Sequence, residues 1–292
     1  MKNLSDAITS KYGSDVRIVR RTPVSGGDIN RAYSLELSDG RKVFMKANRR
    51  ENADFFRAEA EGLAAMRQTG AVRVPEVIAA GTDEDGSFLL LEYIEPGAGH
   101  RSSSEELGTD LARMHMADTA GFVKGGRFGF TADNYIGAGY QKNTPEETWT
   151  DFFIKRRLMP QFARARMYFD SEERKKNDLF LSRVGNYLSE PEYPSLLHGD
   201  LWAGNYMTDR NGRPWLIDPA AYVGHAEADL AMTELFGGFD RAFYDAYRAA
   251  AGIDPEYRDR RDLYNLYHLL NHLNLFGGGY LYSVRSIVNR YV

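Results

Sequence analysis

The sequence predicts an α+β chain in two unequal lobes: a small antiparallel-sheet N-lobe over residues 1–96 and a larger, mainly helical C-lobe over residues 97–292. Three observations carry this. Alternating apolar and polar residues flank an Asp39-Gly40 turn pair, a helix-spaced stretch follows, and beyond Glu95-Pro96-Gly97 the strand signal gives way to helical spacing.

The elements follow in order. Residues 16–19, 32–37 and 42–46 read as strands, the last two joined by Asp39-Gly40. Residues 52–66 place Phe55, Phe56, Ala60, Leu63 and Ala64 at helical spacing, and Gly70 and Pro75 end that helix. Residues 76–80 and 87–93 read as two more strands around the Asp83-Glu84-Asp85-Gly86 turn, and Glu95-Pro96-Gly97 reads as a hinge. A capped helix is expected over 104–118, where Leu107, Leu111 and Met114 share one face. Long helices are expected over 149–167 and 171–188, short strands at 196–197 and 215–217, and mostly helix from Ala228 onward. The N-lobe is thus expected to hold one helix, and a cleft between the lobes is the natural ligand site.

Composition narrows the functional classes. Of 292 residues, 43% are hydrophobic and 27% charged, ordinary values for a folded chain with a large core. The formal charge of -4 gives no broad attraction for nucleic acid or anionic membrane, so neither is expected as a partner. With no cysteine, disulfides, thiolate metal sites and thiol nucleophiles are excluded. The start of the chain lacks an apolar signal region and no apolar run could span a bilayer, so a cytoplasmic location is expected.

The chemistry is concentrated in His198-Gly199-Asp200-Leu201-Trp202-Ala203-Gly204-Asn205, followed after a short hairpin by Ile217-Asp218-Pro219. Phosphoryl transfer from ATP needs a carboxylate to position and deprotonate the attacking hydroxyl, and oxygen ligands that hold Mg2+ against the phosphates. Asp200 fits the base, and Asn205 and Asp218 fit the metal ligands. Each alone could be a turn former, but the joint spacing favours the catalytic reading. His198 reads as a brace for the loop, and Asp229 as a helix start that bonds the loop backbone. Trp202 either packs or forms an apolar wall against the acceptor.

The nucleotide side falls in the N-lobe. Lys46 ends a strand and Glu59 lies on the following helix, the arrangement in which a lysine grips the α- and β-phosphates and a glutamate holds it. The alternatives are an exposed strand-end lysine, and Glu61 in place of Glu59. Gly26 and Gly27 lie between strands where a phosphate-covering loop belongs, and Glu92 and Ile94 stand at the hinge side of the nucleotide site. His268 and His272 are four apart on a helix, but without a third ligand they read as ordinary core or surface residues.

These residues resemble the fructosamine kinase (ketosamine 3-kinase) family, within the aminoglycoside-phosphotransferase-like, protein-kinase-like fold. The resemblance runs from about Val24 to Phe239. It is carried by residues 25–30 and 56–63, Phe128-Gly129-Phe130, Asp133-Asn134-Tyr135-Ile136-Gly137, Gln141, Asn143, Trp149, Arg157-Leu158, residues 198–205, and 229–239. It implies Mg-ATP-dependent phosphorylation of the 3-hydroxyl of a ketosamine, free or protein-bound, whose unstable 3-phosphate then releases the amine. Ribulosamines and erythrulosamines are the acceptors implied for bacterial-type members. It also implies Trp202 as the wall against the sugar-amine. Many relatives carry a redox-sensitive cysteine where Asp28 stands here, so that switch is absent. Two other readings compete: a kinase of the aminoglycoside or choline type acting on another hydroxyl, and a catalytically inactive kinase-fold scaffold. Intact Lys46, Asp200, Asn205 and Asp218 argue against the scaffold. Oligomeric state is left open.

Overall fold

The computed structural model describes residues 3–24 and 30–292. An N-terminal helix, α1 (Leu4–Tyr12), precedes a five-stranded sheet of β1 (Ile18–Val24), β2 (Arg31–Leu37), β3 (Lys42–Asn48), β4 (Val77–Asp83) and β5 (Gly86–Glu92). The strand order is β1-β2-β3-β5-β4 and every pairing is antiparallel. Between β3 and β4 runs α2 (Ala53–Gln68).

α1 corrects the expectation of a single helix in this lobe. It was not legible because only Leu4, Ala7 and Ile8 supply an apolar stripe, too short to register as a period. Its start is fixed by the Asn3 side chain, which accepts from the Asp6 N–H at 2.8 Å. Ala7 and Ile8 pack with Leu35, Val43, Met45 and Leu90 on one face of the sheet. On the other face, Leu89 and Leu91 join Phe56, Leu63 and Met66 of α2 in the main core. Burial on both faces explains why β5 reads as a continuous apolar run rather than an alternation.

The segment expected to be a hinge is strapped down. Gly97 N–H donates to the Thr208 carbonyl at 2.8 Å, Arg210 N–H donates to the Glu95 carbonyl at 3.0 Å, and the Arg210 and Glu95 side chains pair at 3.4 Å. The connector is therefore bonded to the hairpin of β9 (Tyr206–Thr208) and β10 (Pro214–Leu216).

The helical part begins with α3 (Arg101–His115), then the β6 (Asn134–Ile136) and β7 (Gly139–Gln141) hairpin. The helix expected over 149–167 is interrupted: α4 (Trp149–Phe152), a π-helical turn (Phe153–Leu158) and α5 (Met159–Arg164). Pro160 gives a reason for the break. Its ring nitrogen has no hydrogen for the carbonyl of Arg156, which instead accepts from the Arg157 guanidinium at 3.2 Å. After α6 (Ser171–Arg183), β8 (Ser195–Leu197) pairs with β11 (Tyr222–Gly224). α7 (Ala226–Leu235), α8 (Arg241–Ala251), α9 (Tyr257–Phe276) and α10 (Leu281–Arg290) complete the chain. No helix among the described residues is long and apolar enough to cross a membrane.

Two nested hairpins position the site. The β8–β11 pair encloses the β9–β10 pair, so the loops carrying Asp200 and Asp218 leave the two ribbons side by side.

Candidate active site

Lys46 lies inside the sheet, paired in register with Leu89 of β5 and Ala32 of β2. Its ammonium is buried and donates to Glu59 Oε1 at 2.6 Å and to Asp218 Oδ1 at 2.6 Å. Burial disfavours the lysine's charge, but the two carboxylates outweigh it and raise its pKa above the ordinary value. Burial also pushes the Glu59 carboxyl up to about 7, against the lowering effect of Lys46. Glu61 is exposed, so Glu59 is the partner that the geometry selects.

α2 must come close to the Asp218 turn for this triad to form. Gly62 permits it, because a Cβ there would stand 3.3 Å from both Ala221 and Pro219 side-chain carbons. Asp218 is the one non-glycine residue among those described with positive φ, at 57°. That conformation turns its carboxylate back toward Lys46.

The 198–205 loop is held from beneath. Asp229, in the first turn of α7, accepts from the His198 N–H at 2.7 Å and the Gly199 N–H at 2.9 Å. Burial alone would raise the Asp229 pKa, but hydrogen bonding to His115, the nearby His198 and the Gly199 N–H hold it below the ordinary value. His115 faces Asp229 at 3.2 Å and Tyr247 Oη at 2.8 Å. His198 bonds the Ile217 carbonyl through Nε2 at 2.9 Å, linking the two site loops. The bracing expected of Asp229 and His198 is borne out; His115 was not anticipated, since its partners lie more than a hundred residues away.

Asp200 is half-buried, and desolvation pushes its carboxyl up to about 7. Asn205 Nδ2 opposes that rise by donating to Asp200 Oδ2 at 3.1 Å, while the charge of Asp218 adds to it. Asn205 Nδ2 also donates to the Asp200 carbonyl at 2.8 Å, so its amide nitrogen is engaged by Asp200 and its amide oxygen is the atom that could ligate a metal. Asp200, Asn205 and Asp218 thus belong to one polar cluster under Lys46. Its donors are a carboxylate and an amide oxygen, hard oxygens suited to Mg2+, whose remaining positions are ordinarily filled by phosphates and water. No group of three His, Cys, Asp or Glu that could hold a metal occurs among the described residues.

The remaining expected positions are placed less decisively. Trp202 is 42% exposed and its indole lies over Gly204, where a Cβ would come within 2.3 Å of the ring. The Glu92 carboxylate accepts from the Glu76 N–H at 3.2 Å, and the Glu92 N–H donates to the Glu76 carbonyl at 2.9 Å. Ile94 is half-buried in the connector after β5. Gly26, Gly27 and Asp28 lie outside the described residues.

Comparison with known proteins decides the family. The description "Fructosamine kinase" matches residues 1–292. A Synechocystis protein named "Probable ketoamine kinase" is 40% identical over 99% of this chain and 96% of its own length. A chloroplastic protein-ribulosamine 3-kinase of Arabidopsis thaliana is 41% identical over 96% of this chain and 85% of its own. This chain belongs to the fructosamine kinase family. A crystal structure of a candidate fructosamine-3-kinase from Haemophilus somnus superposes with a TM-score of 0.88 at 27% identity, covering 99% of this chain and 96% of that one. The aminoglycoside phosphotransferase APH(4)-Ia, in a complex with AMP-PNP and hygromycin B, shares the fold with a TM-score of 0.64 at 18% identity, covering 99% and 96%. The family's kinase-like α+β fold and phosphotransferase class, expected from the motifs, are therefore those of this chain.

Proposed function

We propose that this fructosamine kinase family member transfers the γ-phosphoryl group of ATP to the 3-hydroxyl of a ketosamine. The supporting observation is the single cluster in which Lys46, paired to Glu59, reaches the Asp218 carboxylate beside Asp200 and Asn205. Relatives named ketoamine kinase and protein-ribulosamine 3-kinase support the acceptor class.

Each residue has a role in this reading. Lys46 orients the α- and β-phosphates, and Glu59 keeps its ammonium directed into the cleft. Gly26 and Gly27 cover the phosphates, and the Glu92–Ile94 main chain meets the base. Asp200 accepts the proton of the sugar hydroxyl as its oxygen attacks phosphorus and the bond to ADP breaks; a carboxyl with a raised pKa is a stronger base than an ordinary carboxylate. Asn205 and Asp218 would hold Mg2+, which when bound neutralises charge on the phosphates. Trp202 walls the acceptor. Residues 1–96 form the nucleotide lobe and residues 97–292 the catalytic and acceptor lobe. Loss of the amine from the 3-phosphate would make the outcome deglycation in the cytoplasm.

The test is mass spectrometry of a ribulosylated peptide after incubation with Mg-ATP. Addition of one phosphate followed by loss of the sugar is expected. ATP turnover with choline or an aminoglycoside, and none with the ribulosylated peptide, would sink the reading.

A further inference from the structure

A cavity of about 160 Å³ lies on the helical side of the Asp218 turn. Its exposed rim carries Tyr140, Lys142 and Arg164, and its buried floor carries Gln141, Arg157 and Tyr267. Arg156 also lines it. No Asp or Glu does so among the described residues.

Arg157 is the decisive group. It is fully buried, at 0% exposure, yet forms no ion pair among the described residues. Its guanidinium donates to neutral oxygens alone: the Lys142 carbonyl at 2.9 Å, Asn143 Oδ1 at 2.7 Å and the Arg156 carbonyl at 3.2 Å. Among the described residues its Nε has no partner, and neither does Arg156 Nε. Aromatic faces of Tyr222 at 4.0 Å and Phe152 at 4.6 Å soften the burial without supplying a negative charge. A buried cation without a counterion is a standing electrostatic deficit. On the rim, Lys142 and Arg164 likewise have no acidic partner among the described residues; Arg164 donates to the Tyr140 carbonyl at 2.6 Å. Arg156 is neutralised by Glu146 at 2.6 Å.

The cavity shares a wall with the reaction centre. Gln141 Nε2 donates to the Ala220 carbonyl at 3.2 Å, and the Ala220 N–H donates to the His198 carbonyl at 2.9 Å, two residues before Asp200. Occupants of this cavity therefore sit one main-chain layer from the Asp200 loop. We propose that it is the acceptor's anion subsite: it seats an oxyanion, carboxylate or phosphate, that the ketosamine carries away from the reacting hydroxyl. This rests on the ketosamine kinase reading above. The carboxylate would belong to an amino acid that forms the adduct, the phosphate to the far end of its sugar. Either would complete the donors that Lys142 and Arg164 leave unpaired and answer the field of Arg157.

Three acceptors separate the possibilities: ribulosyl-lysine, ribulosyl-cadaverine, which lacks only the carboxylate, and ribulosyl-cadaverine 5-phosphate. In the unaltered enzyme at least one anionic acceptor is expected to show a KM about tenfold or more below that of ribulosyl-cadaverine, with kcat within about twofold. Which of the two does so identifies the source of the anion. In the Lys142→Gln, Arg164→Gln double variant, whose substitutions lie on the exposed rim, the advantage is expected to shrink to within about twofold. Equal KM values for all three acceptors, or an advantage that survives the double variant, would overturn the subsite while leaving the kinase reading intact. If no ketosamine is phosphorylated, the kinase reading fails and a second readout decides the cavity. Inorganic phosphate should then raise the melting temperature of the unaltered protein above a chloride control of equal ionic strength, and not that of the double variant. An equal rise in both, or none in either, rejects the subsite.

Discussion

Two buried cations in this chain are solvated in opposite ways. Lys46 is met by two carboxylates, each at 2.6 Å. Arg157 is met by neutral oxygens and by the Tyr222 ring at 4.0 Å. The first arrangement balances its charge internally, so a triphosphate must compete with Asp218 for the ammonium. The second leaves its charge unanswered among the described residues. A cation for aligning a ligand is thus kept neutralised at rest, whereas one that sets a field can be left exposed to whatever enters.

Removing the groups tests that contrast. The largest effect belongs to the base: Asp200→Asn should lower kcat on the order of 10³-fold while ATP still binds, read by steady-state turnover and nucleotide titration. Near-normal turnover would remove Asp200 from the role. Lys46→Met should lower kcat/KM by about 10²-fold and weaken ATP binding, since one charged donor to the phosphates is gone. Asp229→Asn should destabilise the fold by about 2–3 kcal/mol, because a buried, charge-assisted acceptor of two main-chain N–H groups is weakened. Chemical denaturation measures this, and an unchanged midpoint would mean the loop does not depend on that brace.

Acid should act through the buried imidazoles. Burial lowers His268 to about 3 and His225 to about 4, against an ordinary value of 6.5. The unfolded chain takes up these protons as pH falls below 6.5 while the folded chain does not, so the imidazoles' contribution is full above 6.5 and is lost toward pH 4, opposed by the Glu59 and Asp200 carboxyls, which the folded chain protonates near 7. His268→Gln should remove one proton's share of that slope, about 1.4 kcal/mol per pH unit. An unaltered slope would show that His268 is not buried neutral. Last, Arg157→Met should lower stability by about 1–3 kcal/mol, because removing the unpaired charge only partly offsets leaving the Lys142 and Arg156 carbonyls and Asn143 Oδ1 without their donor. A rise in stability, read by chemical denaturation, would show that the unpaired charge outweighs those three hydrogen bonds.

What the sequence disclosed and what it withheld divide along range of interaction. Asp200, Asn205 and Asp218 were legible because they sit at fixed spacing on a short hairpin whose turn residues announce it. Lys46 and Glu59 were legible because a strand and the next helix set their separation. His115 was not, since only folding brings α3 under α7 to meet Asp229. The strapped connector was read as a hinge because Pro and Gly look the same in a free link and in one bonded to Thr208. α1 was too weakly patterned, and the interruption near Pro160 depends on a side chain that replaces a lost main-chain donor. Arg157 could be seen as a charged residue on a helix, but not as an uncompensated one, which is a property of its surroundings.

The backbone at Asp218 carries a further consequence. Its φ of 57° is one that glycine reaches freely and other residues reach at a strain of order 1 kcal/mol. Pro219 follows immediately, so the pair has few ways to relax. Glycine there would relieve that strain but leave the buried Lys46 ammonium with Glu59 alone, so the strained carboxylate holds the two lobes' charges together at a net gain.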